Sequence, residues 1–428
     1  MDYKRLYPIL LIVFTNILGG GVIMPILPLY AEGQFNGTVI QITLLSSAFF
    51  AAQFLAAPVL GRLSDRYGRR PVLIISQIGT VLAFMMFIFA IPLGRWIDSF
   101  GLVLPLTGGM LMLFAARILD GITGGNITTA QAYISDVTDS EYRAQGLGLL
   151  QAAFGLGFIF GPAFGGVLSN IHPVAPFIGA AIITTGTLLL TVFTLAESLP
   201  PEKRAAELGG VQRSAVPLRI LVSNKSFDLV LLIGFFGSLA FAALPAIFAL
   251  YANHVLFPDL AGTGRVQLYI GLILTFYGLM QVFTQLALLR PLIKRLGERR
   301  LIILGEITLF LAMLGIVATS RAVSVTLLLA PFAFGQGVTE PSLQSMVTRF
   351  GEESTRGRLL GIYQSSRSLA LIVGPIWAGL AYADINPQSV FVIGSGIIFC
   401  ALVCAIILSR QQIPSPHKEM HLDPSSVD

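Results

Sequence analysis

The sequence predicts an all-α membrane protein, with twelve transmembrane helices arranged as two pseudo-symmetric six-helix bundles. Three observations predict it. Hydrophobic residues make up 55% of the 428 residues and Asp, Glu, Lys and Arg only 11%, against about 25% charged residues in ordinary soluble domains. So few charges could not cover a soluble fold of this size, so lipid is the solvent for much of the surface. The apolar residues fall into continuous runs of about 20, the length of a membrane-crossing helix, without the alternation of a barrel strand. The basic residues, finally, sort to one side of the spans these runs define.

The spans follow in order. α1 (7–31) is too long for the apolar region of a signal peptide and no small-residue cleavage site closes it, so it reads as a retained helix. α2 (39–60) and α3 (71–92) are joined by the charged hairpin Gly61–Arg70. α4 (102–134), α5 (147–169) and α6 (174–196) complete a first half, residues 1–196. Residues 197–226 hold Pro200-Pro201, mixed charges and Gly209-Gly210, and read as a linker. α7 (227–253), α8 (266–289), α9 (301–319), α10 (323–348), α11 (359–383) and α12 (388–409) form a second half, residues 227–409. The polar tail 410–428 reads as disordered.

An even number of spans puts both termini on one side. With that side cytoplasmic, 22 of the 27 Lys and Arg fall on it, 3 (Arg95, Arg265, Arg321) on the other, and 2 (Arg117, Arg367) inside spans. This bias predicts the orientation. It also accounts for the net charge of +5 without nucleic-acid binding. Cys400 and Cys404, four apart on α12, suit neither a disulfide framework nor a metal site. No metal or cofactor is expected. No phosphate-binding G-x-x-x-x-G-K-[ST] loop occurs, which argues against ATP drive, and no soluble segment is long enough for a catalytic domain, so the chain is not expected to be an enzyme.

The halves repeat each other. Arg143-Ala144-x-x-x-Gly148-x-x-Gln151 recurs as Arg356-Gly357-x-x-x-Gly361-x-x-Gln364, a shift of 213. Gly161-Pro162-x-x-Gly165-Gly166 recurs at the same shift as Gly374-Pro375-x-x-Ala378-Gly379, and Gly121-Ile122-Thr123 recurs as Gly337-Val338-Thr339 at a shift of 216. The hairpin has a worn copy in residues Arg290 to Arg300. Duplicated halves with a site between them are the expected build of an alternating-access carrier.

Four motifs in the matching helices resemble the major facilitator superfamily of transporters. They are Gly61-x-Leu63-x-Asp65-Arg66-x-Gly68-Arg69-Arg70 between α2 and α3; Arg117-x-x-Asp120-Gly121 in α4; Gly157-x-x-x-Gly161-Pro162-x-x-Gly165-Gly166 in α5; and Leu18-Gly19-x-x-x-x-Met24-Pro25-x-x-Pro28 in α1. The resemblance spans about residues 6–409 and is closest to the twelve-helix drug:proton antiporters, especially tetracycline-type exporters. It implies the major facilitator fold, export of a small amphipathic molecule, and protons as the coupling ion. Two places depart from those exporters. Their acidic residue of the first helix is Asn16 here, and that of the ninth falls at Leu309, with Glu306 one turn earlier. The departures argue against tetracycline as the substrate.

The residues themselves suggest roles. Asp65 suits a positive helix N-terminus, which the resemblance implies is that of α11. Arg69 or Arg70 is placed to pair with Asp136 at the end of α4. Such contacts would bolt the halves together on the cytoplasmic side; the alternative is a basic anchor for acidic lipids. Gly157, Gly161 and Gly165 form a smooth stripe for close helix approach, with Pro162 bending the helix, as a hinge or as static packing. Arg117 and Asp120 lie i,i+3 on one face in mid-span, where charges are costly and face the interior. Asp120 is the leading proton-binding candidate and Arg117 its partner, the alternative being a permanent ion pair. Glu340 and Arg367 each lie eight residues from the cytoplasmic end of their spans, roughly 12 Å deep, and are expected to pair between α10 and α11. Glu306 is shallower and is expected to snorkel or to join the coupling set. Asn16, Gln53, Gln281 and Gln336 are candidates for a substrate cavity or for interhelical hydrogen bonds. His172 and His254 fall in outer loops and read as solvated.

The expected partners are a small-molecule substrate, protons and the lipid bilayer, with a monomeric chain in the plasma membrane. Two other functions stand beside export: import or facilitated passage of a small metabolite, and a non-transporting receptor or scaffold.

Overall fold

The computed structural model describes residues 3–101, 105–138, 142–199, 224–351 and 355–411. Most of the expected linker and tail, residues 200–223 and 412–428, and the side chains of Arg143 and Gln151 lie outside the described residues. Ten helical segments among the described residues are long and apolar enough to cross a membrane. One of them, Gly264–Val317, has 54 residues, enough for two crossings, and its backbone leaves the helical region at Gly297. The 29-residue helix Arg356–Asp384 carries the polar stretch Gln364-Ser365-Ser366-Arg367 and adds the remaining crossing. Among the described residues the fold is therefore helical and consistent with twelve spans.

Two predicted spans differ in detail. α3 runs Arg69–Ile88 and continues past Phe89 as Ala90–Asp98. α4 is two helices, Gly108–Gly124 and Ile127–Val137, because the chain breaks at Gly125-Asn126. That break frees a backbone carbonyl and presents a side-chain amide to neighbouring helices. The Gly124 carbonyl accepts from Gln53 Nε2 of α2 at 3.1 Å, and Asn126 Oδ1 accepts from Asn16 Nδ2 of α1 at 3.4 Å. Asn16 and Gln53 thus serve as interhelical hydrogen bonds.

Burial divides the bundle along its axis. At the end bearing the 61–70 hairpin the described residues form two separate apolar cores. One holds Leu6, Ile9, Leu73, Tyr133 and Leu195 of the first half; the other holds Phe227, Val230, Leu343, Leu359 and Leu408 of the second. Toward the opposite end a single core runs through both halves, with Ile26 and Tyr30 of α1, Phe248 and Tyr251 of α7, Ile270 of α8 and Tyr382 of α11.

Glycines make the same division. A methyl group on Gly271 of α8 would overlap the Pro162 carbonyl of α5, and one on Gly166 would sit 2.7 Å from the Gln267 carbonyl. Near the hairpin end, Gly61, Gly357 and Gly361 meet nothing within 4 Å among the described residues. The shared end is also bonded. Glu32 at the end of α1 accepts from His254 Nε2 at 2.8 Å and from Asn253 Nδ2 at 3.3 Å, both at the C-terminal end of α7. His254 Nδ1 in turn lies 2.8 Å from the Tyr382 hydroxyl of α11. His254 was expected to be solvated; instead it bridges the halves, because α1, α7 and α11 converge there. The halves are sealed at the end opposite the hairpin.

Candidate functional site

At the hairpin only Gly68 separates α2 from α3, with φ 104° and ψ 160°, a region that favours glycine. Its N–H donates to the Ser64 carbonyl at 3.1 Å. The amides of Arg69 and Arg70 donate to the Glu197 carboxylate at 2.9 and 3.2 Å, placing an anion on the N-terminus of α3. The buried Arg69 guanidinium donates to Ser64 Oγ at 2.8 Å, to Asp136 Oδ2 at 3.1 Å and to Asp65. Arg70 donates to the Val192 carbonyl at 2.6 Å. Arg66 is exposed, its guanidinium 5.2 Å from the Tyr67 ring.

These contacts tie α2, α3, α4 and the end of α6 into one half. The expected contact of Asp65 with the α11 N-terminus is corrected for this state: Asp65 binds Arg69, one turn away on its own hairpin. Glu197 was missed in the sequence because it follows a span and was assigned to the linker. The available signal was an acidic residue closing α6 close to the bare amides of a helix start.

The second half carries the same device with the charges exchanged. Gly297, 229 positions after Gly68, again has a positive φ of 74°. Glu298 then stands where the hairpin has Arg69, and it accepts from Arg349 at 2.8 Å and from Ser345 Oγ at 2.7 Å. Arg349 follows Asp136 at the 213 shift of the repeat.

In α4, Arg117 Nη1 and Asp120 Oδ2 are 3.2 Å apart, and each side chain is 11% exposed. The guanidinium lies 4.1 Å from the Phe49 ring of α2, a favourable stack for a cation. In the second half Arg367 Nη1 and Glu340 are 2.6 Å apart. Glu340 also accepts from Gln344 at 2.7 Å and from the Tyr363 hydroxyl at 3.1 Å, and Arg367 Nε donates to Ser238 Oγ at 3.0 Å. The interhelical pair expected from equal depth is therefore present.

Glu306 differs from its expectation. It does not snorkel: its exposure is 0%, because α7, α10 and α12 cover that face of α9. Neither carboxylate oxygen has a hydrogen-bond partner among the described residues. It lines a small cavity with Ser238, Gln336, Thr339 and Glu340. Gln281 is half-buried on α8, its carbonyl facing Gly337 of α10. Asp120 with Arg117 and Glu340 with Arg367 remain separate pairs, one in each half.

The α5 stripe packs on α1. A methyl on Gly157 would sit 2.8 Å from the Phe14 carbonyl, one on Gly161 2.7 Å from Gly21 Cα, and one on Gly165 2.7 Å from the Val22 carbonyl. The other face of α5, through Gly166 and Pro162, meets α8 of the second half. One helix thus grips its own half and the facing one, and Thr275 Oγ1 of α8 donates to the Ile159 carbonyl of α5 at 3.0 Å.

Comparison with known proteins agrees with this architecture. The profile of the Major Facilitator Superfamily matches residues 9–264 and 256–424. The class C tetracycline resistance protein of Escherichia coli is 32% identical over 378 residues, covering 87% of this chain and 88% of the relative. Multidrug resistance protein 2 of Bacillus subtilis is 27% identical over 417 residues, covering 96% and 97%. The crystal structure of the human organic anion transporter MFSD10 superposes with a TM-score of 0.66 at 24% identity, covering 94% of this chain and 99% of that one. With ten or more membrane-length helices among the described residues, a hairpin motif in place and a profile match along nearly the whole length, the chain is a multi-pass membrane protein that belongs to the Major Facilitator Superfamily.

Proposed function

We propose that this transporter is a proton-coupled exporter of a small amphipathic molecule, working by alternating access. The relatives named for tetracycline and multidrug resistance support the efflux direction and the substrate class. The observation that carries the reading is the one-sided seal: one core shared at one end, two separate cores at the other. A channel needs no such asymmetry, whereas a carrier must break one seal as it forms the other.

In this reading residues 1–196 and 227–409 are the rocking bodies, 197–226 the cytoplasmic linker and 410–428 a cytoplasmic tail. The 22-to-3 distribution of basic residues puts the hairpin end and both termini in the cytoplasm. The state described here is then open to the cytoplasm, ready to take up substrate. Export requires the Glu32 latch and the α5–α8 seam to part while the hairpin end closes. Closure brings Asp65 within reach of the α11 N-terminus. Asp120 is the proton site. Protonation releases Arg117 from its carboxylate, so proton and substrate charge compete for one buried group. The carrier works as a monomer, each chain holding both bundles.

The test is dye or drug accumulation in cells with and without an imposed proton gradient. Wild type is expected to lower accumulation when protons flow inward, and Asp120→Asn to lose that response while reaching the membrane in equal amount. Gradient-driven efflux by Asp120→Asn at the wild-type rate refutes the role of Asp120. Gradient-driven uptake by the wild type refutes export.

A further inference from the structure

We propose that the second hairpin, residues 290–300, and the adjoining outer face of α8 bind one phospholipid of net negative charge, from the leaflet on the hairpin side. The site needs only the membrane-spanning fold, and neither the direction of transport nor Asp120 as proton site.

The repeat supplies the comparison of charge. The first hairpin carries four arginines, and three carboxylates gather at it. Asp65 and Asp136 accept from the Arg69 guanidinium, and Glu197 accepts from the amides of Arg69 and Arg70. The second hairpin carries five basic residues, Arg290, Lys294, Arg295, Arg299 and Arg300, and one acid, Glu298. Arg349 from outside the hairpin holds Glu298, and Arg299 is turned to the Gln411 carbonyl at 2.8 Å. Arg290, Lys294, Arg295 and Arg300 are exposed and make no ion pair among the described residues. The first half thus folds the same element with its charges largely matched, so the surplus in the second half is not needed to turn the chain. Membrane sidedness asks only that Lys and Arg lie on one side. It does not ask for Arg290 and Lys294 one turn apart on one helix face.

Apolar surface leads up to these cations. α8 packs on α5 through Gly271 and Gly278, and on α10 through Tyr277 and Thr284. Its remaining face carries Leu272, Leu279, Phe283 and Leu286, at helical spacing, with Leu286 78% exposed. The π turn Thr284–Leu288 joins this stripe to the next helix, which runs without a break as far as Gly297. Arg290 follows Leu286 by four residues. An acyl chain suits the stripe, and a phosphate suits the cations, since guanidinium groups grip its oxygens in pairs. A zwitterionic headgroup would bring an ammonium among four unmatched cations and be repelled. A headgroup whose only charge is its phosphate would not, and basic segments at the membrane edge are drawn to anionic lipid.

The test is native mass spectrometry of the purified full chain in detergent, titrated with dioleoyl phosphatidylglycerol or dioleoyl phosphatidylcholine. Wild type should hold one phosphatidylglycerol more tightly than phosphatidylcholine. Arg290→Gln with Lys294→Gln and Arg295→Gln should weaken phosphatidylglycerol by about 100-fold, roughly fivefold for each charge near a membrane surface. The same variant should leave phosphatidylcholine unchanged. Arg62→Gln with Arg66→Gln, which removes exposed cations of the first hairpin, should bind phosphatidylglycerol as wild type does. Without any substitution, raising ammonium acetate from about 0.1 to about 1 M should weaken phosphatidylglycerol through screening. Equal affinity for the two lipids, no effect of salt, or equal losses in the two sets of variants overturns the site. Competition by glycerol 1-phosphate as strong as by the lipid would mean a soluble anion and overturns the lipid. The tail leaves at Gln411 and carries Glu419, Asp423 and Asp428. Phosphatidylglycerol binding that appears only after residues 412–428 are removed would give the patch to the tail and overturn the lipid as its occupant.

Discussion

Replacing Glu32 by Ala should open the end of the transporter opposite the hairpin. Glu32 accepts from His254 at 2.8 Å and from Asn253 at 3.3 Å, so one side chain of the first half holds two of the second. A buried hydrogen bond to a charged group contributes about 1.5–3 kcal/mol, and an exposed ion pair about 0–1 kcal/mol. The Glu32 and His254 side chains are 29% and 37% exposed, which places the latch between these limits, at about 1–2 kcal/mol. Losing it shifts the balance toward the outward-open state by roughly 5- to 30-fold.

The assay is the labelling rate of Ser169→Cys by a membrane-impermeant maleimide added outside, in a background lacking Cys400 and Cys404. Ser169 is 7% exposed, and its hydroxyl contacts the Gly264 carbonyl of the other half at 3.5 Å, so it reacts only when the halves part. Glu32→Ala should raise the rate 5- to 30-fold, within the range set above. The latch should also follow pH. The Glu32 carboxylate favours the charged imidazole and raises the His254 pKa above its ordinary value, so His254 charges at a higher external pH than a free histidine would; as pH falls its attraction to Glu32 strengthens and labelling slows. With His254→Gln only the intrinsic slowing of the thiol reaction, which needs the thiolate, should remain. Equal rates in Glu32→Ala and wild type would refute the latch.

Three further outcomes are expected. Asp65→Asn should cut transport at equal membrane expression and also slow Ser169→Cys labelling, because the hairpin end loses the anion that meets α11 when it closes; unchanged turnover contradicts this. Gly161→Val should destabilise the fold by about 1–3 kcal/mol through overpacking, seen as a lower unfolding midpoint, since even a methyl would lie 2.7 Å from Gly21 Cα. Arg349→Glu should place two carboxylates together at Glu298 and lower the unfolding midpoint. Adding Glu298→Arg should recover much of the loss, and a double-mutant cycle without coupling would show that the 2.8 Å pair has no energetic role.

The pairs that were legible in the sequence share a property. Arg117 and Asp120 sit i,i+3 on one helix, and helical geometry alone puts them on one face. Glu340 and Arg367 are on different helices, but each stands eight residues from the same end, so depth brought them level. The missed residues needed the angle around a helix axis, not the depth along it. Glu306 was placed near one end of α9, yet whether that face met lipid or neighbouring helices was not written in α9. Glu32 and His254 are 222 residues apart and belong to different halves, so neither local pattern points to the other.

Hydropathy and charge act residue by residue, and the sequence by itself therefore determined the twelve crossings, the repeat, the sidedness of the basic residues and the α5 glycine stripe. Which end of the bundle is shut, which carboxylate lacks a counter-charge and which partner Asp65 holds were decided only by tertiary structure. These depend on how two repeated helical bodies lean on each other, and a carrier keeps more than one such arrangement within a few kcal/mol.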